Sequence, residues 1–326
     1  MAVKVTTDYI ELLNKAVERE LAVSVQYILQ HGKMEKLMSK TSPENILLDK
    51  TTYDAIGKIF RDIAITEMKH AADIMERIYF LGGKATTKAS KTVIGDCISE
   101  FAKLGVKAEE EAMTLYREII VEAGKLGDWK TRELFERIYK EEEDHLFKFQ
   151  EYTSFQDEKD EASKVPMPEW RNIYTSEYFA LLNKAVAAEI TGIVQYTNQH
   201  EKAALEQLRK KDTALETVTE SNKAEVISKL LKPIFMQEMD HLEKISERIY
   251  LLEGEVLTKP DPLPVIGENP AEFLALDHKL ESETISLYRK IIAKAHALGD
   301  ITTMRMFEDI IIQEEEHFWT FDDYVK

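Results

Sequence analysis

The chain has 326 residues, enough for two domains of ordinary size, and its hydrophobic fraction of 44% is enough to build cores. With 43 Lys and Arg against 60 Asp and Glu the net charge is −17, which excludes nucleic-acid phosphates as a partner. Cys97 is the only cysteine, which excludes intrachain disulfides and a four-cysteine iron site.

The opening stretch, residues 1–15, lacks an apolar signal core, and no apolar run is long enough to span a bilayer; the expectation is a cytoplasmic protein with no membrane partner. Twelve glycines and eight prolines are few for this length and point to long helices. The first predicted helix runs from about Thr7 to Met38, with Thr6 or Thr7 as its N-cap. Ser42-Pro43 breaks the chain before a second helix that stops at Gly82-Gly83. A crossover over residues 84–95 follows, then a third and a fourth helix joined at Gly127-Asp128.

The same order then recurs. LLNKAVERELAVSVQY (12–27) matches LLNKAVAAEITGIVQY (181–196), and EMKHAADIMERIYFLGG (67–83) matches EMDHLEKISERIYLLEG (238–254). Residues 115–145 likewise match 287–317. The offset grows only from 169 at Glu20/Glu189 to 172 at His145/His317, so a whole domain is duplicated. The second set of helices is predicted to start near Thr175 or Ser176. Polar residues 208–223 read as partly loop. Pro233 implies a kink or a late start, and the later breaks fall at Gly254, over 255–267 and at Gly299-Asp300. Acidic residues followed by Pro166 and Pro168 make 157–172 a linker between domains 1–156 and 173–326. The predicted fold is all-α: two tandem four-helix bundles, each with one long middle crossover, forming a pseudo-dimer.

Glu-x-x-His occurs four times, at Glu67/His70, Glu142/His145, Glu238/His241 and Glu314/His317. Residues three apart lie roughly 60° apart on a helix, so each pair points one way. Lone glutamates repeat in register: Glu20 and Glu189 within apolar stripes, and Glu109 and Glu281 at 36 residues before His145 and His317. A carboxylate facing a core is costly unless paired or metal-bound. Oxygen and imidazole donors suit Fe, Mn or Zn, and two ions about 3.5–4 Å apart handle O₂ or peroxide in two-electron steps. Tyr27 and Tyr196, two turns after Glu20 and Glu189, are placed to hydrogen-bond a ligand carboxylate; the plainer reading is two half-buried tyrosines. His31 and His200 lie three turns along the same stripe, about 16 Å away, as surface histidines or as a station for an entering ion.

The run Leu-Asn, then Glu six residues after the Asn, then Gln-Tyr resembles the first helix of bacterioferritin. EMKHAADIMERIYFLGG resembles its second, and the 36-residue spacing resembles its third and fourth. The resemblance covers nearly all of both halves. It implies a ferritin-like fold with a di-iron ferroxidase centre in each. The implied ligands are Glu20, Glu67, His70, Glu109, Glu142 and His145, then Glu189, Glu238, His241, Glu281, Glu314 and His317. It also implies haem b held by one methionine from each of two domains, at the places of Met68 and Met239; the alternative is that both methionines pack an apolar interface. Lys69 becomes Asp240 in the second copy, so such a haem pocket would be uneven.

Two departures qualify the resemblance. The chain stops nine residues after His317, where bacterioferritin continues into a fifth helix that lines the pores of a hollow shell. The Glu20–Glu67 and Glu189–Glu238 connections are also longer than the family's, with the extra residues near 37–53 and 205–228. The main expectation is a fused ferroxidase taking Fe²⁺ with O₂ or H₂O₂. The alternatives are an iron-storage cage subunit, or a peroxide-consuming enzyme with iron or manganese. Further homo-oligomerisation is compatible with each.

Overall fold

The computed structural model describes residues 5–38, 46–155, 173–210 and 216–325. Among them are eight helices and no strand. They are α1 (Thr7–Met38), α2 (Ile46–Phe80), α3 (Ile98–Leu126), α4 (Trp129–Tyr152), α5 (Ser176–Lys210), α6 (Glu216–Leu251), α7 (Pro270–Leu298) and α8 (Ile301–Val325). The chain divides into two compact units, Met1–Ala162 and Ser163–Lys326. In the first, α1 packs along α2 and α3 along α4, while α1–α3 and α2–α4 contacts close the square; α5 to α8 repeat this in the second. The fold is therefore a four-helix bundle, made twice. No helix among the described residues is long and apolar enough to cross a membrane.

Local chemistry sets the helix ends. Thr6 Oγ1 accepts from the Tyr9 amide at 3.2 Å and Thr175 Oγ1 from Tyr178 at 3.3 Å, so each first helix starts on a threonine cap. Gly127 (φ 69°) and Gly299 (φ 73°) end α3 and α7 in the left-handed region. The aspartate after each caps the next helix from a buried position. Asp128 accepts from the Thr131 amide and hydroxyl, from Tyr9 on α1 and from Arg77 on α2. Asp300 does the same with Thr303, Tyr178 and Arg248. One carboxylate thus ties three helices at one end of each bundle. Its full set of donors offsets the cost of burying it. Asn14 and Asn183 fix the crossovers. Each donates to a crossover carbonyl (Lys84, Glu255) and accepts from a crossover amide (Thr86, Leu257) at 2.7–3.0 Å.

Some expectations need correcting. Of residues 208–223, read as partly loop, 208–210 belong to α5 and 216–223 to α6, and the rest lie outside the described residues. Helix α6 does not start late but passes through Pro233. The left-handed position after α6 is held not by Gly254 but by Glu253 (φ 67°), where the first unit has Gly82 (φ 82°). His200 is not a surface histidine: its Nδ1 lies 2.6 Å from the Ser228 carbonyl oxygen, and burial lowers its pKa. His31 packs against Gly57 and is likewise only partly exposed. The break at Ser42-Pro43 and the linker over 157–172 lie outside the described residues.

The two cores differ where the repeats diverge. A Cβ on Gly105 would come within 2.6 Å of the Phe149 ring, which also packs on Tyr27 and Phe60. In the second unit Asp277 stands at the Gly105 position and Leu231 at that of Phe60. Asp277 is fully buried and accepts from Gln195 Nε2 at 2.8 Å, while its Oδ2 has no partner. Burial pushes its carboxyl up to about 8, with the Gln195 and Gln199 amides pulling the other way. Below about pH 4 folded and unfolded chains both hold this proton; between there and pH 8 only the folded chain does, so this group lowers stability as pH rises. Asp277→Asn should stabilise the chain at pH 8 by at least ~1 kcal/mol, with the gap closing toward pH 4. Paired thermal melts across that range check it, and a gap independent of pH would contradict it.

Candidate metal centres

Each bundle buries four glutamates and two histidines halfway along its helices. In the first unit Glu20 comes from α1, Glu67 and His70 from α2, Glu109 from α3, and Glu142 and His145 from α4. All six are at most 4% exposed. In the second unit α5 to α8 bring Glu189, Glu238, His241, Glu281, Glu314 and His317 together the same way.

The groups fall into two overlapping sets per unit. Glu20, Glu67, His70 and Glu142 each offer a ligand atom within 4.8 Å of the others; so do Glu67, Glu109, Glu142 and His145. Glu67 and Glu142 belong to both sets. The second unit repeats this with Glu189, Glu238, His241 and Glu314, and with Glu238, Glu281, Glu314 and His317. The geometry offers two adjacent sets of donors that could each hold an ion, sharing two carboxylates, with one further glutamate and one imidazole in each. The paired imidazoles face each other with ring centroids 6.1 and 6.3 Å apart.

Both histidines of a unit turn Nδ1 inward. His70 Nδ1 lies 3.0 Å from Glu67 and 3.2 Å from Glu142, and His145 Nδ1 has the same two distances to the same two residues. In the second unit the corresponding separations are 3.0–3.4 Å. The outer nitrogens are held elsewhere. His70 Nε2 meets Glu141 at 2.7 Å, His241 Nε2 meets Gln313 Oε1 at 3.2 Å, and His317 Nε2 meets Gln237 Oε1 at 2.9 Å. An acceptor at Nε2 fixes the proton there and leaves the Nδ1 lone pair for an ion. Tyr27 and Tyr196 donate from their hydroxyls to Glu109 and Glu281, each at 2.5 Å. Met68 and Met239, one residue past Glu67 and Glu238, are buried at 2% and 3% exposure.

The residues fit a pair of hard dications. Both oxygens of Glu189 and of Glu314, one of Glu238, and Nδ1 of His241 and His317 are buried without a hydrogen-bond partner. Leaving that many polar atoms unsatisfied costs several kcal/mol in total. The electrostatics agree. Burial raises Glu20, Glu109, Glu189 and Glu281 well above the usual carboxyl range. Burial also pushes Glu67 up, but hydrogen bonds and charge from both imidazoles carry it well below that range; Glu142 ends at about 2 against the same burial and the charge of Glu67. Burial lowers the imidazoles, and the carboxylates more than reverse this: His145 rises to about 10 and His317 to about 9. Without an ion the cluster therefore holds protons at neutral pH.

Three features were not read from the sequence. Glu141, Gln313 and Gln237 orient the imidazoles, and nothing separates them from other polar helix residues until the bundle is built. Asp277 stands one turn before Glu281. Arg19 precedes Glu20 and reaches into the first centre, whereas Ala188 precedes Glu189. That mismatch inside an otherwise close repeat was visible in the aligned segments.

Comparison with known proteins gives one consistent answer. The pattern of the ferritin-like domain matches residues 10–154 and again residues 179–326. Bacterioferritin from Desulfovibrio desulfuricans is 35% identical over 138 residues, 42% of this chain and 69% of the relative. Bacterioferritin from Rhodobacter capsulatus is 34% identical over 42% of this chain and 74% of its own, and that from Brucella melitensis 30% over 42% and 77%. Each match covers less than half of this chain because the relatives' similarity extends over about one unit's length. The chain belongs to the ferritin-like family and carries the family's domain twice.

Proposed function

We propose that the chain is a ferroxidase, with Fe²⁺ as substrate at a two-ion centre in each unit and O₂ or H₂O₂ as oxidant. The observation that carries this reading is the pair of ion positions sharing Glu67 and Glu142, and in the second unit Glu238 and Glu314. Two ions so close together supply two electrons at once, enough to take O₂ to H₂O₂ with two protons, or H₂O₂ to two waters.

The chain's own residues have separable tasks. Glu67, Glu142, Glu238 and Glu314 would bridge. Glu20 with His70, and Glu109 with His145, would each complete one ion's set, as would Glu189 with His241 and Glu281 with His317. Four carboxylates balance two dications and favour two trications further, so the anionic cage draws the ions toward the oxidised state. Tyr27 and Tyr196 hold Glu109 and Glu281 in place through the hydroxyl bonds. The buried imidazoles and the raised carboxyls would release protons as ions enter, close to where the oxidant needs them.

The same oxygen and nitrogen donors suit manganese, so a peroxide-consuming di-manganese centre is the competing reading. Metal analysis of the native protein with peroxide assays separates the two. Haem b on Met68 and Met239 is a further element of the proposal, read out by a Soret band that methionine replacement abolishes. The lone Cys97 is in keeping with a cytoplasmic setting, where thiols stay reduced. Storage of a mineral would need assembly into a container, which the two-ion geometry does not require.

Two outcomes are expected. The wild-type chain should oxidise Fe²⁺ faster than protein-free buffer, and Glu67→Gln with Glu238→Gln should lower that rate at least ~10-fold; absorbance of ferric product measures it, and an undiminished rate would refute the assignment. Because ions must displace protons from His145 at about 10 and His317 at about 9, affinity should rise with pH between 6 and 8. Calorimetry in buffers of different ionisation enthalpy should show proton release on binding; proton-neutral binding would contradict the electrostatic account.

A further inference from the structure

The two centres differ by one charge placed among the ligand oxygens. Arg19 extends from α1 into the first centre with its side chain 14% exposed. Nη1 lies 3.1 Å from Glu20, 3.4 Å from Glu142 and 3.8 Å from Glu67, and Nη2 bonds to Glu109. One guanidinium thus contacts all four carboxylates of the cage. Its position is built rather than incidental: Nη2 also donates to the Ala108 carbonyl at 3.1 Å, and the guanidinium carbon sits 5.9 Å from the centre of the Tyr116 ring. The second unit has Ala188 at the equivalent place. No cationic side chain approaches Glu189, Glu238, Glu281 or Glu314 among the described ion pairs, apart from the two imidazoles.

We infer that the two centres are unequal by design of the chain: Arg19 is an internal cation that competes with divalent ions at the first centre, so that the second centre fills first and more tightly. This rests on the reading of both clusters as divalent-ion sites.

The physical argument has three parts. An arginine cannot shed its charge, so protonation gives no route to relieve the repulsion. Its nitrogens bond to oxygens of Glu20, Glu109 and Glu142, so an ion that takes those oxygens must displace a charge-assisted hydrogen bond. A fixed positive charge within 4 Å of the ligand oxygens also opposes a dication wherever the side chain settles. One feature works the other way. His70 Nε2 is backed by the Glu141 carboxylate, whereas His241 is backed by the neutral Gln313. Glu141 does not cancel Arg19, because it is 36% exposed, lies on the outer side of the imidazole and pairs with Arg137.

The second centre, free of this competitor, keeps unpartnered oxygens on Glu189, Glu238 and Glu314. In the first centre the unpartnered ligand oxygens are confined to one on Glu20 and one on Glu67. The contrast matches the substitution of Ala188 for Arg19.

The test is a Co²⁺ titration of the chelator-stripped full chain, followed by visible d–d absorption and by calorimetry. The wild type should bind in two classes separated at least ~10-fold in affinity. The tight class should survive His70→Ala with His145→Ala and vanish in His241→Ala with His317→Ala. Arg19→Ala should bring the two classes within a few-fold of each other, and Ala188→Arg should weaken the second centre at least ~10-fold. One class of equal sites in the wild type, or a tight class that belongs to the first centre, would overturn the inference while leaving the metal reading intact. Absence of saturable Co²⁺ binding in every variant would instead remove the metal reading, and the inference with it. Equal sites in the wild type refute the inference without any variant, and Arg19→Ala and Ala188→Arg, which leave every ligand in place, assign the classes where a histidine variant fails to fold.

Discussion

Everything in each unit is arranged around four carboxylates that converge where the bundle would ordinarily bury only apolar side chains. Isolated, such a group of charges would cost far more than the surrounding helices could supply. The chain meets part of that demand with two imidazoles and, in the first unit, with one guanidinium. The remainder appears as raised carboxyls and as oxygens without partners. A pair of dications would satisfy the same atoms in one step.

The scaffold holds that convergence with polar devices at one end of each bundle. Asp128 and Asp300 lock three helices each, and Asn14 and Asn183 pin the long crossovers to the first helix of each unit. Tyr27 and Tyr196 then connect the ligand shell to the aromatic core, because each packs on a phenylalanine (Phe149, Phe321) while its hydroxyl holds a glutamate. Duplication keeps these devices nearly unchanged in both units. What diverges lies just beside them: Arg19 against Ala188, Glu141 against Gln313, and Gly105 against Asp277.

Helix number and order were legible in the sequence because the signals are local. Threonine caps, Gly-Asp breaks and a repeat in register act over a few residues each. The convergence of the Glu-x-x-His pairs was legible too, since spacing fixes direction on a helix. Other features depend on partners distant in sequence. Nothing local tells that Glu253 takes the left-handed position that Gly82 holds in the first unit, or that His200 tucks beneath Ser228 instead of facing solvent. Residues 216–223 open α6 although the Thr, Val, Ser and Asn among them are weak helix formers, so local propensity gave no sign of a helix there. Arg19 was missed for a different reason. A cation beside a metal ligand contradicts the site's expected chemistry, and only the bundle shows that it turns inward.

The most direct examination of the account is anomalous diffraction from crystals of the full chain grown with Mn²⁺. Two peaks about 3.5–4 Å apart are predicted in the second unit, flanked by Glu238 and Glu314, with weaker occupancy between Glu67 and Glu142 in the first. Peaks confined to the surface carboxylates, with the buried clusters closed on themselves at saturating metal, would contradict it.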